Sequence, residues 1–199
     1  MDGGFSKIAN SFNPSSPGWS VQSVPSWNAG LYYNFHPRGP SIFGVELLFM
    51  KAAGNEKIEA DLIDNTGKNV GQSTGYIYRH ISYLSLPVYY GLKLDKLTFN
   101  VGFQVSYALA SGGRDKGKAT YYGSIVTWDN KLGKLGIDPY DFGARAGLFF
   151  PISDKFSIEA VGYYGINDIL KEEGPMWTWK VRQITAGLRY MLFSTEERN

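Results

Sequence analysis

The stretch KLTFNVGFQVSYALASG, Lys96 to Gly112, decides the fold. Leu97, Phe99, Val101, Phe103, Val105, Tyr107 and Leu109 form one set, spaced by two. Thr98, Asn100, Gly102, Gln104, Ser106 and Ala108 form the other. Alternation this long without a miss is a β-strand with two unlike faces. The second face is small and mildly polar and carries no Lys, Arg, Asp or Glu. A sheet surface facing bulk water would carry charge, so the side that meets solvent has to be worked out from the other strands.

The same alternation recurs along the chain. Trp27, Leu31, Tyr33 and Phe35 share one side of a strand, as do Phe43, Val45, Leu47 and Phe49. Leu84, Leu86, Val88, Tyr90 and Leu92 repeat it, as do Phe142, Ala144, Ala146, Leu148 and Phe150. Phe156, Ile158, Ala160, Gly162 and Tyr164 follow, then Ile184, Ala186, Leu188, Tyr190 and Leu192. A weaker segment lies at 3–10. The pattern predicts eight strands at about 3–10, 27–35, 41–51, 77–92, 96–110, 139–150, 156–165 and 178–193, in a single domain spanning 1–199. No segment keeps a helical period over three turns.

The connections come in two kinds. Long ones, Ser11 to Ser26, Ala52 to Gly75, Ser111 to Asp138 and Ile166 to Met176, alternate with short ones at His36 to Pro40, Lys93 to Lys96 and Pro151 to Lys155. In an up-and-down meander alternate connections lie at one end. The chain is therefore expected to have tight turns at one end and long loops at the other, the pattern of outer-membrane barrels with short periplasmic turns and long external loops.

Composition agrees and narrows the classes. Only 19% of the 199 residues are charged, against about 25% in soluble domains. The formal net charge of +2 gives no basic excess for nucleic acid. The chain has no cysteine, hence no disulfide framework, thiolate metal site or cysteine nucleophile. No run of about 18 apolar residues offers a membrane helix, but barrel strands escape that test because each is only half apolar. No leader is legible at Met1 to Gly4, as expected of a mature or engineered start or of a chain that is not exported.

The faces can now be assigned. An eight-stranded barrel has an interior just wide enough for side chains to fill, too narrow for the bulky sets of every strand. The small sets are therefore expected inside and the bulky sets against lipid. Phe49, Tyr90, Tyr107, Phe150, Phe156 and Tyr190, near strand ends, are expected in the interfacial girdles. The inward set includes four charges, Glu46, Arg145, Glu159 and Arg189, which are expected to pair as a lumen network, since lone buried charges are costly. Tyr83, Tyr89, Phe149 and Tyr163 share inward parity and would fill the lumen further. Lys51 and Arg182 have outward parity and are expected to snorkel to headgroups. Pro87 falls inside a strand and predicts a bulge or local gap in the ladder.

YLSLPVYYGLKL (Tyr83 to Leu94), preceded by ELLF (Glu46 to Phe49), resembles the PorT-like outer-membrane β-barrel family of Bacteroidetes, itself OmpA-like in architecture. Gly102 to Gly112, DFGARAGLFF, VGYYGINDIL and ITAGLRYML match the later strands of that family in order, so the resemblance runs from about Trp27 to Leu192. It implies an all-β, eight-stranded antiparallel transmembrane barrel in the outer membrane of a Gram-negative bacterium. One member group is linked to type IX protein secretion.

Little else suggests chemistry. His36 and His80 have no partners at catalytic spacing, and no catalytic, cofactor or metal residues are assigned. Asp61, Asp64 and Asn65 lack the alternation and distal Glu of a calcium loop. GGRDKGK (Gly112 to Lys118) lacks the strand-to-helix setting of a phosphate loop. The chain is expected to be non-enzymatic, with outer-membrane lipid and another outer-membrane or periplasmic protein as partners. Tyr121, Tyr122 and Trp128, residue types enriched at interface hot spots, mark a candidate partner-binding loop. A small pore and a soluble lipocalin-like binder of an apolar ligand are the alternatives.

Overall fold

In the computed structural model the alternating segments become strands of one continuous antiparallel sheet. The structure describes residues 1–10, 18–35, 39–170 and 178–191. The strands are β1 (Asp2–Asn10), β2 (Trp19–Gln22), β3 (Val24–Phe35), β4 (Ser41–Ile63), β5 (Asn69–Leu94), β6 (Leu97–Tyr121), β7 (Ser124–Leu132), β8 (Tyr140–Pro151), β9 (Phe156–Gly165) and β10 (Trp179–Tyr190). Eight of them pair in a ring, β1–β3–β4–β5–β6–β8–β9–β10, closed by the pairing of β10 with β1. Closure removes every free edge within the wall.

The side-chain pattern follows the ring. On β6, Phe103 is 72% exposed while Gln104 is 3% and Ser106 0% exposed. On β10, Ile184 is 72% exposed and its neighbours Gln183 and Thr185 are buried. The outward apolar stretches run Trp27–Phe35, Leu84–Leu92, Phe99–Tyr107, Phe142–Phe150 and Phe156–Tyr164. Nine residues at about 3.3 Å each, tilted by roughly 40°, make a band some 20 Å tall, close to what a membrane barrel needs. Aromatic pairs sit at its margins: Tyr107 with Tyr140 (5.4 Å between centroids) and Trp27 with Phe49 (5.5 Å) at one, Phe156 with Tyr190 (5.0 Å) at the other.

The long connections differ from expectation. Two regions read as loops, Ala52 to Gly75 and Ser111 to Asp138, are mostly strand. Apart from two rows at Glu46 and Leu47, β4 and β5 pair from Ser41↔Leu92 to Ile63↔Asn69, and β5 with β6 out to Gly71↔Tyr121. β7 pairs with β6 and the short β2 with β4, neither of them anticipated. The strands expected to end near 51 and 110 and to begin near 77 thus continue beyond the membrane as a five-stranded sheet, β2–β4–β5–β6–β7. Its residues are polar or Gly-rich and short of a bulky alternating set, so apolar periodicity is silent there, while ladder hydrogen bonds carry the strands onward. A register shift between Ser82 and Tyr83, opposite Leu109, lies where β6 leaves β8, at Tyr107↔Tyr140, before β7 joins at Gly113↔Leu132. Bulges bend and retwist strands at such rims. His36 and Leu192 lie outside the described residues.

Pro87 shows its effect locally. The β4–β5 ladder runs to Val45↔Val88 and resumes at Leu48↔Ser85 in the same register, leaving the rows of Glu46 and Leu47 unpaired. Proline has no N–H to donate, so the interruption is a gap and not a slip.

With this much apolar wall outside, the folded chain should stay in solution only with detergent and migrate differently from boiled chain on a gel. Monodisperse folded protein in detergent-free buffer would contradict the outward assignment.

Candidate functional site

The lumen is built from the small inward face. Tyr89 on β5 lies opposite Gly44 on β4 and Gly102 on β6. A Cβ on Gly44 would strike the Tyr89 ring, and one on Gly102 would strike the β5 backbone at Val88 and Tyr89. Gly143 makes the same room for the ring of Tyr163. The glycines are therefore the floor on which two large rings lie across the interior. An aromatic ring covering a cross-strand glycine also restores the packing that the glycine lacks.

The four inward charges meet in this space. Arg145 Nη1 donates to Glu46 Oε2 at 2.5 Å, and Arg145 Nη2 lies 4.0 Å from Glu159 Oε2. Arg189 Nε donates to Glu159 Oε2 at 2.6 Å, and its Nη2 donates to Glu46 Oε1. Arg189 Nη1 donates to the Tyr89 hydroxyl at 3.0 Å, which in turn donates to Asn34 Oδ1 at 2.7 Å. The Arg189 guanidinium stacks on Phe149 (3.9 Å) and Tyr32 (4.7 Å). All four charged side chains are at most 5% exposed. Each charge is thus matched within hydrogen-bond reach, which offsets the desolvation of both signs.

A second layer closes the mouth at the end with the long hairpins. Ile8, Met50, Ala52, Ile81, Tyr83 and Val181 form a buried apolar cluster with Ile137 and Ile169. The last two come from the connections after β7 and β9, which bridge at Ile137↔Leu170 and bond through Asp138 N–H to the Ile169 carbonyl at 2.8 Å. Beside this plug sits an ion pair that the strand pattern did not flag: Arg79 Nη1 lies 2.7 Å from Glu56 Oε1, and the Arg79 guanidinium is 4.5 Å above the Trp179 ring. The signal was present. Glu56 continues the even parity of Glu46, Met50 and Ala52, and extending that parity past Lys51 finds it.

The candidate loop residues stand on a hairpin and not on a loop. Trp128 lies on β7, over Gly117, and its Nε1 donates to Asp115 Oδ1 at 2.9 Å. Tyr121 ends β6. Tyr122 occupies the turn at a positive φ of 46°, with its ring 4.6 Å from that of Tyr121. The Tyr122 hydroxyl donates to Asp64 Oδ2 at 3.3 Å, tying the tips of the two hairpins together. Asp64 Oδ1 accepts from the Thr66 hydroxyl (2.6 Å) and from the Thr66 and Lys68 amides. Asp64 therefore caps a turn, and Asp61 accepts from Gln72 at 3.3 Å. His80 stands on β5 with its ring 5.9 Å from that of Tyr78. No group of three or more His, Asp or Glu suited to a metal occurs among the described residues.

The closed ring with an apolar outside and a paired, polar inside defines an outer-membrane β-barrel. Residues 3–171 match the family model described as the outer membrane protein beta-barrel domain, and the chain belongs to that family. The outer membrane is accordingly its location. No curated protein matches the chain.

Two predictions follow from this geometry. Arg145→Met should destabilise the barrel by about 3–5 kcal/mol, because Arg189 alone is then left to balance two buried carboxylates, Glu46 and Glu159, while Lys116→Met on the exposed sheet should change little. Equal unfolding midpoints in detergent would refute the network. At the hairpin tip, the Thr66 hydroxyl and the two amides hold the Asp64 carboxyl below the usual carboxylate range. The turn should therefore keep its stabilisation above the ordinary carboxylate value of about 3.9 and lose it as the pH falls through the lowered one. Loss of Thr66 and Lys68 amide protection near pH 6 would contradict it.

Proposed function

We propose that the chain is a non-enzymatic outer-membrane protein that docks another protein of the outer membrane through its external sheet. The observation that carries this is the continuation of β4 to β7 past the membrane as an ordered platform, above a lumen already filled by side chains. The platform presents Tyr76, Tyr121, Tyr122, Ile125 and Val126 to solvent, each 39–65% exposed. β7 borders it with one side unpaired among the described residues, and such an edge is suited to strand addition. Aromatic residues on a rigid scaffold lose little entropy on binding. The resemblance of Tyr83 to Leu94 and of the later strands to the PorT-like barrels of Bacteroidetes supports a role as an accessory of a secretion or assembly system.

A photo-crosslinker at Tyr122 should trap a discrete protein partner in intact outer membranes, and one at Ile152 in a short turn should not. Replacing residues 114–131 by a two-residue turn should leave the heat-sensitive gel mobility unchanged and abolish the crosslink from a second site, Tyr76. Steady conductance through the purified barrel, unchanged by that deletion, would favour a pore instead.

A further inference from the structure

The outer wall is uneven. On β8, β9 and β10 the outward positions at mid-height are small: Ala144, Ala146, Ala160, Gly162 and Ala186. They are neighbours in space, Ala146 opposite Gly162 and Ala186 opposite Ala160. Phe103 on β6 and Ile184 on β10 stand proud on either side, each 72% exposed. An open furrow of about 1150 Å³ runs along this level of the wall, from Phe43 and Tyr90 past Val101, Ala146 and Gly162 to Ile184 and Phe5, and the small residues of β8 and β9 form part of its lining.

The furrow ends at cations. Lys7 and Arg182 both line it and lie directly opposite each other on β1 and β10. Lys180 is two residues further along the same outward side of β10. Among the described residues none of the three has an acidic partner, and Arg182 is the one described arginine without one, Arg79, Arg114, Arg145 and Arg189 all being paired. Arg182 rests over the Tyr164 ring at 4.7 Å and donates from Nη2 to its hydroxyl at 3.2 Å, while its Nε, shielded from solvent, has no acceptor. The aromatic contact fixes the guanidinium at the margin of the apolar band, at the end that carries the long hairpins, which in outer-membrane barrels is the external one.

We propose that this wall binds one phosphate-bearing glycolipid of the outer leaflet, of the lipid A class. Its phosphate sits on Lys7 and Arg182, with Lys180 adjacent, and an acyl chain lies in the furrow over Gly162 and Ala146. Charge complementarity selects the ligand: unpaired cations stand at headgroup height on the side where the leaflet is built of phosphorylated glycolipid. Arginine and lysine in combination bind phosphate well. An acyl chain in the furrow gains close dispersion contact with a wall that lacks protruding side chains.

The test uses the full chain in neutral-lipid nanodiscs with bisphosphorylated lipid A, its dephosphorylated form and phosphatidylglycerol as probes, read by native mass spectrometry. The bisphosphorylated form should be retained over the dephosphorylated one, and Lys7→Gln with Arg182→Gln should weaken it roughly thirtyfold, the equivalent of two surface cations. Gly162→Leu, which fills the furrow, should weaken it with the cations intact, and Lys116→Gln should have no effect. Unchanged heat-sensitive mobility shows that each variant is folded. Equal retention of the two lipid A forms, or unaltered binding by the double variant, would overturn the site. Equal binding of phosphatidylglycerol would overturn the assignment to glycolipid.

Discussion

An eight-stranded ring encloses only as much space as side chains can fill, and that width governs the rest of the molecule. It forces the bulky member of each alternating pair outward and the small member inward. It explains why Gly44, Gly102 and Gly143 occur where they do: each yields the volume that Tyr89 or Tyr163 occupies. Reversing the faces would ask the ring to hold Phe99, Phe103, Phe142, Phe150 and Phe156 together with their neighbours.

Given that width, charge inside must be exchanged between side chains because little water can be. Glu46 accepts from both arginines, and Arg189 reaches Glu46, Glu159 and Tyr89 from one guanidinium. Phe149 and Tyr32 cover its faces. The three donor positions of Arg189 are used in three directions, an arrangement that lysine could not copy with a single point charge. The gap in the β4–β5 ladder falls at Glu46 and Pro87, beside this network. The side-chain bonds across the lumen there link strands that the backbone links less well.

The barrel was legible because its apolar faces carry period two without interruption for about nine residues per strand. The inward charges were legible from the same parity, and so was the local effect of Pro87. The sheet that extends β4 to β7 past the ring was not. From Ala52 to Tyr76 and from Ser111 to Leu132 the strands are held by ladder hydrogen bonds and by contacts such as Trp128 on Gly117, and neither leaves an apolar rhythm in the sequence. The plug was also missed. Ile137 and Ile169 are single apolar residues in polar connections, and only the fold brings them over the mouth. Glu56 and Arg79 lay within reach of parity but outside the strand limits drawn from bulk alone.

Everything rests on which face of β6 meets lipid. The chain has no cysteine, so single spin labels at positions 103, 104, 105 and 106 can be introduced one at a time. In reconstituted vesicles, collision with oxygen dissolved in the bilayer should be high at 103 and 105 and low at 104 and 106. The opposite phase, with low values at 103 and 105, or no alternation at all, would contradict an apolar wall turned toward the membrane.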